Sequence, residues 1–214
     1  EEMAAYAEVP VVNALTDDFH PCQILADLLT IQEHKGAVPG LTLAYVGDGA
    51  NNMAQSYLLG GATAGLHVRI GTPTAYQPKP EILARAQQIA AEQGGSITIT
   101  DDPIAAVLGA DVVATDTWVS MGQEGELDTR KGEASPFAKF SVTTDLMGQA
   151  APDAIFLHCL PAYRGYEVAA EVIDGVVAAM PRPILAPPGD VDLAAEDGLH
   201  VLLLAGLVEL DRAE

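Results

Sequence analysis

Short apolar runs alternate with helix-like segments along this chain, and that alternation restricts the fold more than any other feature. The runs occupy residues 9–14, 41–47, 67–71, 96–100, 112–116 and 154–159. Several are continuously apolar rather than alternating, as strands are when a parallel sheet is covered on both faces. The segments between them carry helix punctuation. Residues 21–35 begin at Pro21 and stop at Gly36, and residues 80–93 begin at Pro80 and stop at Gly94-Gly95. Proline suits the first helical turn, where its missing N–H had no partner anyway, and glycine suits the residue that ends a helix. Residues 51–64 stop at Gly65, 103–108 stop at Gly109, and 166–173 follow the last run. Strand–helix alternation of this kind implies parallel βαβ crossovers. The expected architecture is α/β: a single doubly wound, Rossmann-like parallel sheet of about five or six strands with helices on both faces.

Composition narrows the function. The formal net charge is −20, with 10 Lys plus Arg against 30 Asp plus Glu. A nucleic-acid binder needs clustered cations to neutralise phosphates, and an anionic membrane surface attracts the same kind of cluster, so neither partner is expected. Hydrophobic residues make up 49% of the chain, enough for a substantial core. Cys22 and Cys159 are too few and too far apart for a disulfide framework, which points to a reducing, cytoplasmic setting. No basic segment followed by an apolar one opens the chain, so no secretory signal is expected. The longest apolar stretch, residues 199–208, is interrupted by His200 and is too short to span a bilayer.

Ligands of doubly wound sheets sit beyond the C-terminal strand ends. That rule selects the loops at 47–53, 71–75, 116–124 and 158–164. The first reads G-D-G-A-N-N-M from Gly47 to Met53 and runs into a helix N-terminus, where free N–H groups favour an anion. A dinucleotide fingerprint would need glycine where Asn52 stands, and an acidic residue where the next strand ends Arg69-Ile70-Gly71-Thr72. Paired asparagines suit a small polar ligand instead. The second loop, D-T-W-V-S-M-G-Q-E from Asp116, puts a carboxylate at a strand end where it can meet an ammonium group. The plainer reading is a turn with an N-capping Asp. The polar run 122–132 that follows suits a mobile lid. The third loop, H-C-L-P-A-Y-R-G from His158, holds Cys159 rigidly before Pro161, although a buried structural cysteine reads the same way. A fourth element, F-H-P-C-Q from Phe19, puts His20 and Gln23 at the mouth of a helix, where a lone His is commonly a cap. Cys159, His20 and Asp116 could in principle form a hydrolase triad, but no base stands at a motif-defined spacing. No His/Cys/carboxylate set has metal-ligand spacing, so no metal and no cofactor are expected.

These four elements in this order resemble ornithine carbamoyltransferases, from about Tyr6 to about Gly175. The S-M-G loop together with H-C-L-P is specific to that family. The resemblance implies carbamoyl transfer from carbamoyl phosphate to the δ-amine of L-ornithine, giving citrulline and phosphate. It implies that Asn52, Asp116, Ser120 and Met121 hold ornithine, with Asp116 meeting the α-ammonium. Cys159 and Leu160 would face the δ-amine and the carbamoyl group, and His20 and Gln23 would help bind the carbamoyl group. Cys159 and Asp116 would carry the catalysis. The attacking amine must lose a proton, which a nearby Asp/thiol pair can assist. A polarised carbonyl needs donors, which His20 and the Leu160 backbone could supply.

The text departs from the family at both ends. The family's S-x-R-T-R phosphate loop does not stand in these residues. Residues 1–15 read as a remnant of the preceding domain, a helix end and a strand. Residues 16–214 read as the ornithine-binding-like domain, with 176–214 divergent. Gly198 stands where the family places an arginine, and leucines follow His200. A helix apolar on nearly all sides must be covered, either in the chain's own core or at a subunit contact, and the second case makes this segment a surface for self-association. Arg164, the one cation in the motif loops, reads as well as a structural ion pair near Glu167. The expected function is that of an isolated ornithine-binding domain of a carbamoyltransferase, with weak amino-acid binding and little turnover alone. Two alternatives stand beside it: an engineered or relic scaffold without a ligand, and an enzyme completed by a separate carbamoyl-phosphate-binding chain.

Overall fold

Parallel strands cannot be joined by tight turns; each must be followed by a crossover, and the crossovers cover the sheet. The computed structural model describes residues 2–120, 123–131 and 134–175. Its strands are β1 (Thr42–Val46), β2 (His67–Gly71), β3 (Ser96–Thr100), β4 (Val112–Thr115) and β5 (Ile155–His158). They form one five-stranded sheet in the order β3-β2-β1-β4-β5, with every pairing parallel. The register sets Val46 opposite Gly71, and Thr115 opposite His158, so the chain leaves these strands along one edge. The helices are α1 (Glu2–Tyr6), α2 (Pro21–Lys35), α3 (Asn52–Thr63), α4 (Pro80–Gln93), α5 (Pro103–Val107), α6 (Leu127–Lys131), α7 (Thr144–Met147) and α8 (Ala170–Ile173).

The two faces bury two cores. On one, Ile24 and Ile31 of α2, Tyr57 and Leu58 of α3 and Ala86 of α4 close on Leu43, Tyr45, Val68 and Ile70. On the other, Ala106 and Val107 of α5, Leu146 of α7 and Val172 of α8 close on Ala44, Val46, Val113 and Phe156. Successive strand residues point to opposite faces. Leu43 and Tyr45 therefore enter one core and Ala44 and Val46 the other, which is why β1 is apolar at every position. Helix ends follow the expected punctuation. Pro21 and Pro80 open α2 and α4, and Gly36 and Gly94 end them in left-handed conformation at φ 76° and 80°.

Two expectations are corrected. Residues 9–14 form no strand: Val9, Val11 and Val12 are exposed, and the segment has no hydrogen-bonded neighbour in the sheet. Apolar composition alone does not supply a partner. The helix expected over 166–173 shrinks to α8. The backbone of Glu167 and Ala169 is drawn into an extended pairing with Val142, whose N–H donates to Glu167 O at 2.8 Å and whose carbonyl accepts from Ala169 N–H at 2.9 Å. The polar run 122–132 contains a 3-10 turn (Glu124–Glu126) and α6, and its Arg130 is buried rather than solvated. The C-terminal segment 176–214, with the helix expected to support self-association, lies outside the described residues. Among those residues no helix is long and apolar enough to cross a membrane. Cys22 and Cys159 are both free thiols.

One of the buried carboxylates lies where α2 packs on α3. Asp27 of α2 is 1% exposed; its Oδ1 accepts from Gln23 Nε2 at 2.9 Å and its Oδ2 from the Tyr57 hydroxyl at 2.6 Å. Loss of solvation pushes it up from 3.8 to about 6, against those hydrogen bonds and the nearby His158. The folded state therefore holds this proton more tightly than the unfolded chain does. Its burial opposes folding above pH 6, and the penalty disappears as pH falls from 6 toward 4. Asp27→Asn removes the charge and should stabilise the fold by up to about 3 kcal/mol at pH 7. Urea midpoints of both proteins at pH 7, 6 and 5 are expected to converge; a difference independent of pH would refute this.

Candidate functional site

Strands β1 and β4 are neighbours, but β1 leads outward to β2 on one side and β4 to β5 on the other. At such a reversal the following loops diverge and leave a crevice. Here it is a cleft of about 560 Å3, within the usual range for small-molecule sites. His20 enters it from the start of α2, Asn51 and Asn52 from the turn after β1, Asp116 and Ser120 from the loop after β4, and Cys159 and Leu160 from the loop after β5.

Asp116 is the hub. It is 6% exposed, at the end of β4. Its Oδ1 accepts from the Thr117 N–H at 2.7 Å and from the Cys159 thiol at 3.1 Å, and its Oδ2 accepts from Asn51 Nδ2 at 3.0 Å. Asn51 can reach across because it is the N-cap of α3. Its Oδ1 accepts from Ala54 N–H at 2.8 Å, which fixes the side chain, and its Nδ2 also donates to the Tyr45 hydroxyl at 3.0 Å. Burial raises Asp116 above the usual carboxylate range; the Cys159 hydrogen bond and the nearby His158 oppose the rise. Burial, reinforced by the charge of Asp116, pushes the Cys159 thiol well above its ordinary range. The thiol accordingly remains protonated and donates, rather than acting as a thiolate.

The turn after β5 is held from below. His158 Nδ1 accepts from the Leu160 N–H at 2.9 Å, which puts the ring proton on Nε2, 3.5 Å from Glu167 Oε1. Leu160 is thereby kept at φ 56°, a left-handed conformation uncommon outside glycine. The donor expected from the Leu160 backbone is thus already engaged. Asp116, His158 and Cys159 bring potential ligand atoms within 4.8 Å of one another. However, the Asp116 oxygens and His158 Nδ1 already accept protein hydrogen bonds, and the sulfur carries its proton.

Of the expected site residues, His20, Asn52, Asp116, Ser120, Cys159 and Leu160 meet at the cleft. His20 is not a side-chain cap: its N–H donates to Ser56 Oγ at 2.8 Å, and burial lowers its basicity. Asn52 Nδ2 donates to Thr16 O at 3.2 Å and ties the N-terminal segment to the cleft. Gln23 is not brought into the lining; its amide is turned to Asp27. Met121 lies outside the described residues. Arg164 pairs with Asp174 at 2.5 Å, not with Glu167, and does not line the cleft. Gly49 is explained by packing: a Cβ there would stand 2.8 Å from Thr72 Cγ2 and Tyr76 O. The G-x-G text therefore serves the approach of two loops.

Sequence reasoning missed Tyr45 and Arg130, and saw Asn51 only as one of two asparagines facing a ligand. The helix-start signal at Asn51 was visible; its second role, steadying a carboxylate 65 residues away, was not. No Lys or Arg is among the described residues that line the cleft.

Comparison with known proteins agrees with this geometry. Residues 39–180 match the family "Aspartate/ornithine carbamoyltransferase, Asp/Orn binding domain", and residues 1–33 match its "carbamoyl-P binding domain". The ornithine carbamoyltransferase of Clavibacter sepedonicus is 59% identical over 204 residues, covering 95% of this chain and 64% of that protein. That of Renibacterium salmoninarum is 56% identical over 211 residues, covering 98% of this chain and 63% of that protein. The chain thus spans less than two thirds of either relative, and both alignments reach into residues 176–214. Among solved structures, the ornithine carbamoyltransferase of Pyrococcus furiosus superposes with a TM-score of 0.78 at 47% identity, over 84% of this chain and 56% of that one. The enzyme of Gloeobacter violaceus gives 0.75 at 44%, over 84% and 58%.

A thiol held protonated beside a buried carboxylate should alkylate slowly. Iodoacetamide at pH 8 is expected to modify Cys159 several-fold more slowly than an unhindered thiol. Asp116→Asn removes the neighbouring charge and should speed it. Peptide mass mapping over time checks both rates, and equal rates in the two proteins would remove the proposed coupling.

Proposed function

Because the chain belongs to the aspartate/ornithine carbamoyltransferase family, we propose that its cleft is a site for L-ornithine, with Asp116 as the partner of the α-ammonium group. The carrying observation is a buried carboxylate at the cleft wall that has three hydrogen-bond donors and, among the described residues, no Lys or Arg partner. A ligand ammonium supplies the missing charge, and the desolvated site strengthens the attraction. L-Aspartate fits less well, because its second carboxylate finds no Lys or Arg among the described lining residues.

In this reading Asn52, Ser120 and Met121 hold the rest of the zwitterion, and the δ-amine points toward Cys159 and Leu160. His20 stands across the cleft as a neutral donor for the carbamoyl oxygen. Transfer forms a bond from the δ-nitrogen to the carbamoyl carbon and breaks the carbon–oxygen bond to phosphate, giving citrulline and phosphate. The amine loses one proton in that step. In this reading the Cys159 thiol takes that proton as its own passes to Asp116, which ends protonated. Gln23 would have to turn from Asp27 to take part in carbamoyl binding.

Phosphate is the part of the reaction that the described residues do not serve. A phosphoryl dianion requires fixed cations. Arg130 is engaged with Asp48 and Glu126, and Arg164 with Asp174. Amino-acid binding without turnover is therefore expected from this chain on its own.

Titration calorimetry with L-ornithine should give saturable heat that vanishes in Asp116→Ala, while L-aspartate gives none. A citrulline assay with both substrates should stay at background. Absence of ornithine heat in the parent protein would overturn the binding reading; enzyme-dependent citrulline would overturn the claim about turnover.

A further inference from the structure

Three loops converge on the cleft, and loops do not hold position without anchors. The strongest anchor among the described residues is the side chain of Arg130 in α6. It is 5% exposed. Its Nη1 donates to Asp48 Oδ2 at 2.6 Å and to the Trp118 carbonyl at 3.1 Å, and its Nε donates to Glu126 Oε2 at 2.6 Å. Its guanidinium lies 5.1 Å from the centre of the Tyr76 ring and 5.5 Å from that of Phe137.

Each contact reaches a different part of the cleft's frame. Asp48 belongs to the turn after β1, and its Oδ1 also accepts from the Ala50 N–H at 2.9 Å, just before Asn51 and Asn52. The same turn is tied to the loop after β2, since Gly49 N–H donates to Thr72 Oγ1 at 2.9 Å and Thr72 Oγ1 donates to Tyr76 O at 2.8 Å. Trp118 lies between Asp116 and Ser120 in the loop after β4. Beyond it, the Ser120 N–H donates to Gln123 Oε1 at 3.0 Å, and both residues line the cleft.

We propose that Arg130 is a positioning residue for the amino-acid site: it clamps the loop after β4 to the turns after β1 and β2. It thereby fixes where Ser120 and Gln123 stand relative to Asn51 and Asn52. Arg130 does not line the cleft itself. Its effect passes through the Trp118 carbonyl and through Asp48. An exposed ion pair would do little, but a buried one broken on one side leaves a charge without a partner, and the loops must move to solvate it. Lysine cannot replace it, because one ammonium does not present the planar fork that reaches all three acceptors.

The chain's one tryptophan reports on the clamp directly. Trp118 is 4% exposed, and its ring stacks on Phe137 with centroids 5.9 Å apart. In the parent protein its emission should be blue-shifted and shielded from acrylamide. In Arg130→Gln the emission should move to the red, quenching should rise several-fold, and the Kd for L-ornithine should weaken by about tenfold or more. Unfolding should remain cooperative. Arg130→Lys should fall between the two on both readouts.

Should Arg130→Gln fail to fold, Arg130→Lys and Asp48→Asn, which weakens the buried pair from its other side, decide; each is expected to bind ornithine several-fold more weakly with an intact melting transition. Folded variants that keep the parent's quenching and ornithine affinity would overturn the proposal. The affinity arm rests on the ornithine reading. If the parent protein binds no ornithine, that reading fails, and the quenching arm still decides whether Arg130 holds the loop.

Discussion

Asp116 stands at the reversal point of the sheet with its carboxylate almost wholly buried and, among the described residues, no Lys or Arg against it. Burying a carboxylate in that way is unfavourable unless donors surround it. The chain supplies them from three directions: a backbone N–H one residue on, the amide of a helix N-cap, and a thiol from the neighbouring strand end. Three of the five strands therefore end where they do around one side chain. Tyr45 of β1 steadies Asn51, Thr115 and Asp116 close β4, and His158 and Cys159 close β5. The site is a consequence of that arrangement, since a group stabilised only by neutral donors still attracts a cation.

The outer wall of the cleft has a different origin. It is a long loop held by a buried ion pair as well as by its buried aromatic side chains. Buried Asp48 and Arg130 form its principal tie, with aromatic rings of Tyr76, Trp118 and Phe137 packed around the guanidinium. In a chain of net charge −20, a cation in this position also offsets local repulsion between Asp48 and Glu126.

Much of this was legible in the sequence, for definite reasons. The helices at Pro21–Lys35 and Pro80–Gln93 fall where proline and glycine mark them, and β2 and β3 fall on their apolar runs to the residue. Asp116 and Cys159 converge because both sit at the ends of adjacent parallel strands, and the strand-end rule needs only the fold class. What was not legible depends on pairings that sequence distance hides. Arg130 reads as one more charge in a polar run, because its partner Asp48 is 82 residues away. Gln23 reads as a cleft residue because nothing in F-H-P-C-Q shows that Asp27, one turn on, captures its amide. Residues 9–14 read as a strand because their composition permits one; in the fold they pair with no strand of the sheet and leave their valines exposed.

The central claim is that Asp116 waits, desolvated, for an ammonium group. The most direct measurement is the titration of its side-chain carboxyl by carbon NMR, with and without saturating L-ornithine. The free protein should show a midpoint above the usual carboxylate range, and the bound protein should show that midpoint moved down, because a paired ammonium favours the ionised form. An ordinary midpoint in the free protein, or one that ornithine leaves unmoved, would contradict the account.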